Sequence, residues 1–302
     1  MEISLALGGG GTKGAAHIGV LRKLEKEGFK IKAIAGTSVG GIVAAMYAAG
    51  IKPEELLKLF SELDQSTAFG RRPHDNPSLM GVSGVIDLLE KTIGDIGFKD
   101  LKIPCAVTAV DLKSGVEIIL ARGKVIDAVL ATIALPGVFP TQNWGPYELV
   151  DGGVYDPVPV QAARLLAPGL PVAAVVLTAP PDKPVHASLA TDHLGPEPII
   201  RQIARLRIAQ SIGTFVQAVD IGQRLITELR LEIDQPDVIL RPQVHHVGLL
   251  ERVDVEKLSW LGDQAVEQVL PELRKANNLS NRVRRFLAGR KRFVKEEREN
   301  GA

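Results

Sequence analysis

The run Ile34-Ala35-Gly36-Thr37-Ser38-Val39-Gly40-Gly41 constrains this chain more than any other stretch. The residues ahead of Ser38 read as a buried strand, and Ile42-Val43-Ala44-Ala45-Met46-Tyr47-Ala48 reads as a helix of small residues. Between them, Gly-x-Ser-x-Gly sets a serine on a sharp strand-to-helix turn. Glycines two before and two after it are needed, because side chains there would collide as strand and helix close. Ser38 is thereby a candidate nucleophile, with Gly36 and Gly40 as its turn glycines.

Upstream, Ile3 to Leu7 predicts a first strand, then Gly8-Gly9-Gly10-Gly11-Thr12-Lys13-Gly14, then an amphipathic helix from about Ala15 to Glu27. A glycine loop between a strand and a helix N-terminus forms an anion site from unpaired N–H groups and the helix dipole. A phosphate-binding P-loop would end in Gly-Lys-Ser/Thr, and the order here is Gly11-Thr12-Lys13-Gly14. A dinucleotide fingerprint is present at Gly9, Gly11 and Gly14, yet no Asp or Glu lies between Glu27 and Glu54 to bind a ribose. The third reading is an oxyanion hole facing Ser38, which accounts for both glycine-rich elements at once; a nucleotide-binding protein using the Gly9–Gly14 loop stays as the alternative. Two parallel strands joined by a helix bring both turns to one carboxyl-end crevice.

Pro53 to Leu63 predicts a helix, Val85 to Ile93 another, Ile103 to Val110 and Val116 to Leu120 a pair of strands, and Val125 to Leu135 a helix stopped by Pro136-Gly137. Residues 66–82 are irregular and rich in Gly and Pro, which predicts either a mobile lid over an acyl pocket or an ordinary loop. An exposed acid on a tight turn, Asp151, precedes Gly152-Gly153 after a short apolar run. Val172 to Thr178 reads as a buried strand, Glu197 to Ile233 as a long helix with Gly213 or Gly222 as possible breaks, Asp237 to Leu240 as a last strand and Val255 to Lys275 as a last helix. Residues 180–198 are proline-rich and irregular. With no repeats or low-complexity linker, one domain over 1–278 and a tail over 279–302 are expected.

A chain of 302 residues with 45% hydrophobic and 24% charged residues has globular composition. Its net charge of +1 gives no reason to expect nucleic acid. The charge concentrates at the end: between 282 and 299 eight Lys or Arg stand against three Glu. The single Cys105 excludes an internal disulfide and fits a reducing compartment. Met1-Glu2-Ile3-Ser4 has no basic n-region, so no signal peptide is expected, and the chain is expected in the cytoplasm. Residues 33–51 are uncharged over nearly the length of a membrane span, but their Gly, Ala, Thr37 and Ser38, and the change of period within them, argue against one.

Together these residues resemble the patatin-like phospholipase family. The matching pieces are Leu5 to Gly14 with His17 to Leu21, Ala35 to Gly40, Ala134-Leu135-Pro136-Gly137-Val138-Phe139-Pro140, and Asp151-Gly152-Gly153 with Pro157-Val158-Pro159. The match runs from about residue 3 to 160. The resemblance implies a three-layer α/β/α sandwich with a mostly parallel sheet and a lipid acyl hydrolase acting by a serine–aspartate dyad. By motif position Ser38 would be the nucleophile, Asp151 the general base, and Gly9, Gly10 and Gly11, with Lys13 and Gly14, the oxyanion hole. Asp156 stands where the family commonly has Asn before Pro.

A Ser–His–Asp triad is the rival, with His74, His186, His193, His245 and His246 as candidates. His17, one turn into the first helix, reads as packing or capping, and Cys105 as packing. No cluster has metal-ligand spacing, so no metal or cofactor is expected. Val283, Phe286, Leu287, Phe293 and Val294 share one side of a helix among the tail's arginines. Arg282 to Lys295 therefore predicts either peripheral contact with an anionic membrane or a packed or solvated tail. Substrate detail and oligomeric state are not legible.

Overall fold

The computed structural model describes residues 1–63, 70, 78, 80–180, 199–249 and 251–278, with the backbone alone over 199–212. The tail over 279–302, most of 66–82 and all but one residue of 180–198 lie outside the described residues.

The first strand, β1 (Glu2–Leu7), and the elbow strand, β2 (Lys30–Thr37), pair in parallel around the crossover helix α1 (Ala15–Lys26). Strand β3 (Cys105–Asp111) continues the sheet beyond β2; β7 (Val172–Val175) and then β8 (Val238–Leu240) continue it beyond β1, all parallel. Strands β4 (Glu117–Leu120), β5 (Gln142–Trp144) and β6 (Tyr147–Asp151) add antiparallel pairs. The result is an eight-stranded, mostly parallel sheet in a three-layer α/β/α sandwich. The β5–β6 hairpin, turning at Gly145, was not anticipated, because its strands are too short to show a period.

Strand alternation makes the two faces unequal. Leu5, Leu7, Ile34 and Val107 project into a large core under α1, α2 (Val39–Ala49), α3 (Pro53–Glu62), α4 (Ser83–Thr92), α5 (Val125–Thr132) and α8 (Val255–Ala276). The opposite face carries Ala6, Ala35, Ala106 and Ala174, small enough for α6 (Val160–Leu166) to lie close. Beside α6 runs α7 (Ile199–Asp234), 36 residues long and broken by neither Gly213 nor Gly222. The uncharged stretch 33–51 is divided between β2 and α2, and among the described residues no helix is long and apolar enough to cross a membrane.

The register of β3 positions the site. Cys105 to Thr108 pair with β2, Val107 to Val110 with β4, and Ala109 to Asp111 with β6. Since β4 occupies one edge over 107–110, β2 and β6 share the other. Strand β2 ends at Thr37 opposite Thr108, and β6 takes over with Asp151 opposite Ala109. One residue step along β3 thus sets Asp151 beside the end of β2.

Candidate active site

Ser38 has φ 54° and ψ −127°, a conformation that non-glycine residues rarely hold. The strain follows from the close crossing of β2 and α2: a Cβ on Gly36 would strike the Gly40 carbonyl, and one on Gly40 the Leu7 carbonyl. The backbone N–H of Ser38 donates to the Thr132 hydroxyl at 2.9 Å, tying the elbow to the last residue of α5.

Asp151 is 2% exposed. Its Oδ1 accepts the Gly153 N–H at 2.7 Å, and the Ser38 hydroxyl stands near the same carboxylate. Burial pushes its pKa up to about 6, against which these two groups act. The pair Gly152-Gly153 is required sterically: a Cβ on the first would strike Thr108, and one on the second the amide of Gln223 on α7. Two threonines clamp the junction of the strands. Thr37 and Thr108 share a 2.7 Å hydrogen bond, and the Thr37 hydroxyl donates to the Asp156 carbonyl at 2.9 Å.

The glycine loop lies against Ser38 but does not act as one block. The Gly9 N–H donates to the Pro157 carbonyl at 2.9 Å, which removes it from the expected oxyanion donors and ties the loop to the segment after Asp151. The Lys13 side chain points away from Ser38 toward α7. It is buried with Nζ 3.8 Å from Asp220 of α7, beside Arg224, which is 2.8 Å from the same carboxylate. Burial lowers the Lys13 pKa, and Asp220 partly opposes that shift. Gly14 packs beneath Val39, where a Cβ would collide. Gly10 and Gly11 line the cavity, and their N–H groups make no backbone hydrogen bond among the described residues. His17 is fully buried, and its Nε2 lies 2.8 Å from the Gly8 carbonyl. Since a carbonyl only accepts, Nε2 carries the proton; burial lowers the ring's pKa to about 4, so the imidazole is neutral.

Ser38 and Asp151 open onto a cavity of about 140 Å³. Its walls are apolar: Ile42, Phe60, Val85, Leu135, Phe139 and Val253 are among them, and Gln223 adds one amide. Of the triad candidates, only His245 and His246 are among the described residues, and they do not line it. They sit edge-on to each other, ring centroids 6.1 Å apart. His74, His186 and His193 lie outside the described residues, as does most of the lid candidate over 66–82. Cys105 is buried in β3. Among the described residues no group of His, Cys, Asp and Glu is arranged to hold a metal ion.

Asp156 is buried with its carboxylate 3.2 Å from Arg230, which also meets Asp234 at 3.3 Å and lies 5.6 Å from the centre of the Tyr155 ring. Burial, and then the Glu117 carboxylate, raise the Asp156 pKa. An acid in place of the family's usual Asn is therefore matched by a cation from α7. Sequence reasoning missed Thr132, Gln223 and Asp220. A lone threonine at a helix end carries no pattern, whereas Asp220, Gln223, Arg224 and Thr227 recur on one side of α7, which was a readable signal.

An eight-stranded α/β/α sandwich with a strained serine elbow beside a buried acid defines the class. The chain belongs to the patatin-like phospholipase family: residues 5–164, more than half of the chain, match the model described as patatin-like phospholipase. It is 35% identical over 162 residues to an uncharacterized NTE family protein of Mycobacterium tuberculosis, covering 53% of this chain and 44% of the relative. It is 27% identical over 172 residues to the lysophospholipase NTE1 of Saccharomyces cerevisiae, covering 54% of this chain and 10% of the relative. The chain thus spans less than half the length of these curated relatives. In fold it is similar to VipD from Legionella pneumophila, with a TM-score of 0.54, 12% identity, and coverage of 91% of this chain and 66% of that one.

Proposed function

We propose that this chain is a serine-dependent lipid acyl hydrolase that cleaves carboxylic esters through a Ser38–Asp151 dyad, with a phospholipid or lysophospholipid as substrate class. The observation that carries this reading is that the strained Ser38 and the buried Asp151 carboxylate stand together at one apolar cavity. Asp151 takes the Ser38 proton as Oγ attacks the ester carbonyl carbon. The Gly10 and Gly11 N–H groups receive the charge that develops on the carbonyl oxygen. Collapse of the tetrahedral intermediate expels the alcohol, which leaves with the proton from Asp151 and gives an acyl-Ser38. Water then attacks, Asp151 takes its proton and returns it to Ser38, and the fatty acid departs. A carboxylate at about 6 is ionised at pH 7 yet more basic than an ordinary aspartate, which suits a general base. Apolar walls suit an acyl chain, and membership of the family supports a lipid substrate.

The test is intact mass after incubation with a fluorophosphonate, comparing wild type with Ser38→Ala. One covalent adduct, lost in the variant, is expected; no adduct on the folded wild-type protein would overturn the dyad. The nucleotide reading of Gly9, Gly11 and Gly14 predicts tight NAD(P) or ATP binding by isothermal titration, and none is expected. Peripheral membrane contact through Arg282 to Lys295 predicts that removing 279–302 weakens binding to anionic vesicles while hydrolysis of a soluble ester continues.

A further inference from the structure

Over 213–234, helix α7 buries a row of polar side chains beside Val216 and Leu231 and leaves a row of apolar ones exposed. Asp220, Gln223, Arg224, Thr227 and Asp234 are buried against the body, while Phe215, Ile221, Leu225, Leu229 and Ile233 are 42–70% exposed. Those five are more than a third of the thirteen large apolar side chains exposed among the described residues, gathered on one stretch of one helix. At 3.6 residues per turn, Ala218, Leu225 and Leu229 run down the middle of this face, with Ile221 on one side and Gly222 on the other. Glycine inside a helix is disfavoured relative to alanine unless something approaches closely. At Gly222 nothing among the described residues lies within 4 Å of where a Cβ would stand, so they give it no steric use.

We propose that this face docks a second copy of the chain, two α7 helices crossing antiparallel about a two-fold axis that passes between Gln223 and Arg224. That axis sets Leu225 of each copy opposite Gly222 of the other and Leu229 opposite Ala218. One operation seats both large-on-small pairs, as an isologous interface requires. Small residues at the crossing let the two backbones approach, and the leucines fill the space beside them.

Other occupants fit less well. An anionic lipid surface would be met by cations, but this face presents Glu232, while Arg224 is buried and Arg230 is held by Asp156 and Asp234. The C-terminal tail departs from α8, which lies in the opposite layer against α1, with Arg22 bonded to Asp263 and Arg274 to Glu27. The interface also bears on the site, because the buried side of the same helix holds Lys13 through Asp220 and lays Gln223 against Gly153.

Sedimentation velocity of the full chain over a wide range of concentration tests this. Wild type is expected to sediment as a dimer. The double variant Leu225→Asp/Leu229→Asp should sediment at half the mass with unchanged circular dichroism. Gly222→Leu should do the same while adding apolar surface, since no described residue stands near that position and a close partner would be blocked. Gly222→Cys should form a covalent dimer under mild oxidation without interference from Cys105, whose buried thiol is pushed up to about 12. A wild type that is monomeric throughout, or a dimer that survives both sets of variants, overturns the proposal. So does a monomer in which removing 279–302 opens α7 to a hydrophobic dye, which assigns the face to the tail. A monomer that binds vesicles only while Leu225 and Leu229 are intact assigns it to lipid and overturns the proposal equally.

Discussion

The hydroxyl of Thr132 accepts the backbone N–H of Ser38 at 2.9 Å, so a side chain from α5 fixes the peptide that strains the elbow. Thr132 is fully buried, and an isosteric Thr132→Val would leave that N–H unsatisfied. A loss of about 1–3 kcal/mol of stability is expected. Thermal unfolding measures it, and the rate of fluorophosphonate labelling should fall in parallel, since the elbow is free to relax. Stability lost without any change in labelling would separate Thr132 from the site.

Asp151 gives opposite signs for activity and stability. Its carboxyl lies at about 6 in the folded chain against an ordinary 3.8, so the folded state holds the proton more tightly than the unfolded chain. That contribution to stability is whole below pH 3.8 and lost as pH rises through about 6, a difference of about 3 kcal/mol. Asp151→Asn should therefore melt above wild type at pH 8 and converge with it near pH 4, while hydrolysing no ester. Wild-type turnover should rise with pH through about 6 and level off above, because only the ionised carboxylate takes a proton.

The buried His17 titrates in the other sense. Its pKa falls from 6.5 to about 4 on folding, so the unfolded chain binds the proton first. The associated stability is present above pH 6.5 and lost as pH falls through about 4, again about 3 kcal/mol. His17→Gln keeps a donor for the Gly8 carbonyl and removes the titration. The slope of stability against pH between 4 and 6.5 should be shallower in the variant, as read by chemical denaturation across that range.

Gly11 has φ +58°, and a Cβ there would collide with the Leu249 carbonyl. Gly11→Ala is expected to shift an oxyanion donor and lower kcat/KM on a soluble ester by about 10²-fold or more. Gly28→Ala is the control: it shares a left-handed φ, +80°, but has open space and no place at the site, so turnover should hold. Equal losses in both variants would remove Gly11 from the chemistry.

The elbow, the glycine loop and the Asp-Gly-Gly turn were legible because each is a local backbone requirement. A strained serine, a loop of free N–H groups and a tight turn all demand glycine at fixed offsets, and that demand is written in consecutive residues. The order of strand, glycine loop, helix and strand likewise gave the parallel β1–α1–β2 unit. What no local pattern held was which loop N–H groups stay free. Pro157 takes the Gly9 N–H and Asp220 takes the Lys13 ammonium, and both partners arrive from far along the chain. The meeting of Ser38 and Asp151 rests on β3 offering one edge to β2 as far as Thr108 and to β6 from Ala109. The pKa of Asp151 follows from that placement, because desolvation is a property of surroundings. The sequence by itself determined the pieces that backbone geometry dictates within a few residues. The tertiary structure alone decided their partners and their charge, since pairing and burial depend on residues distant in the chain.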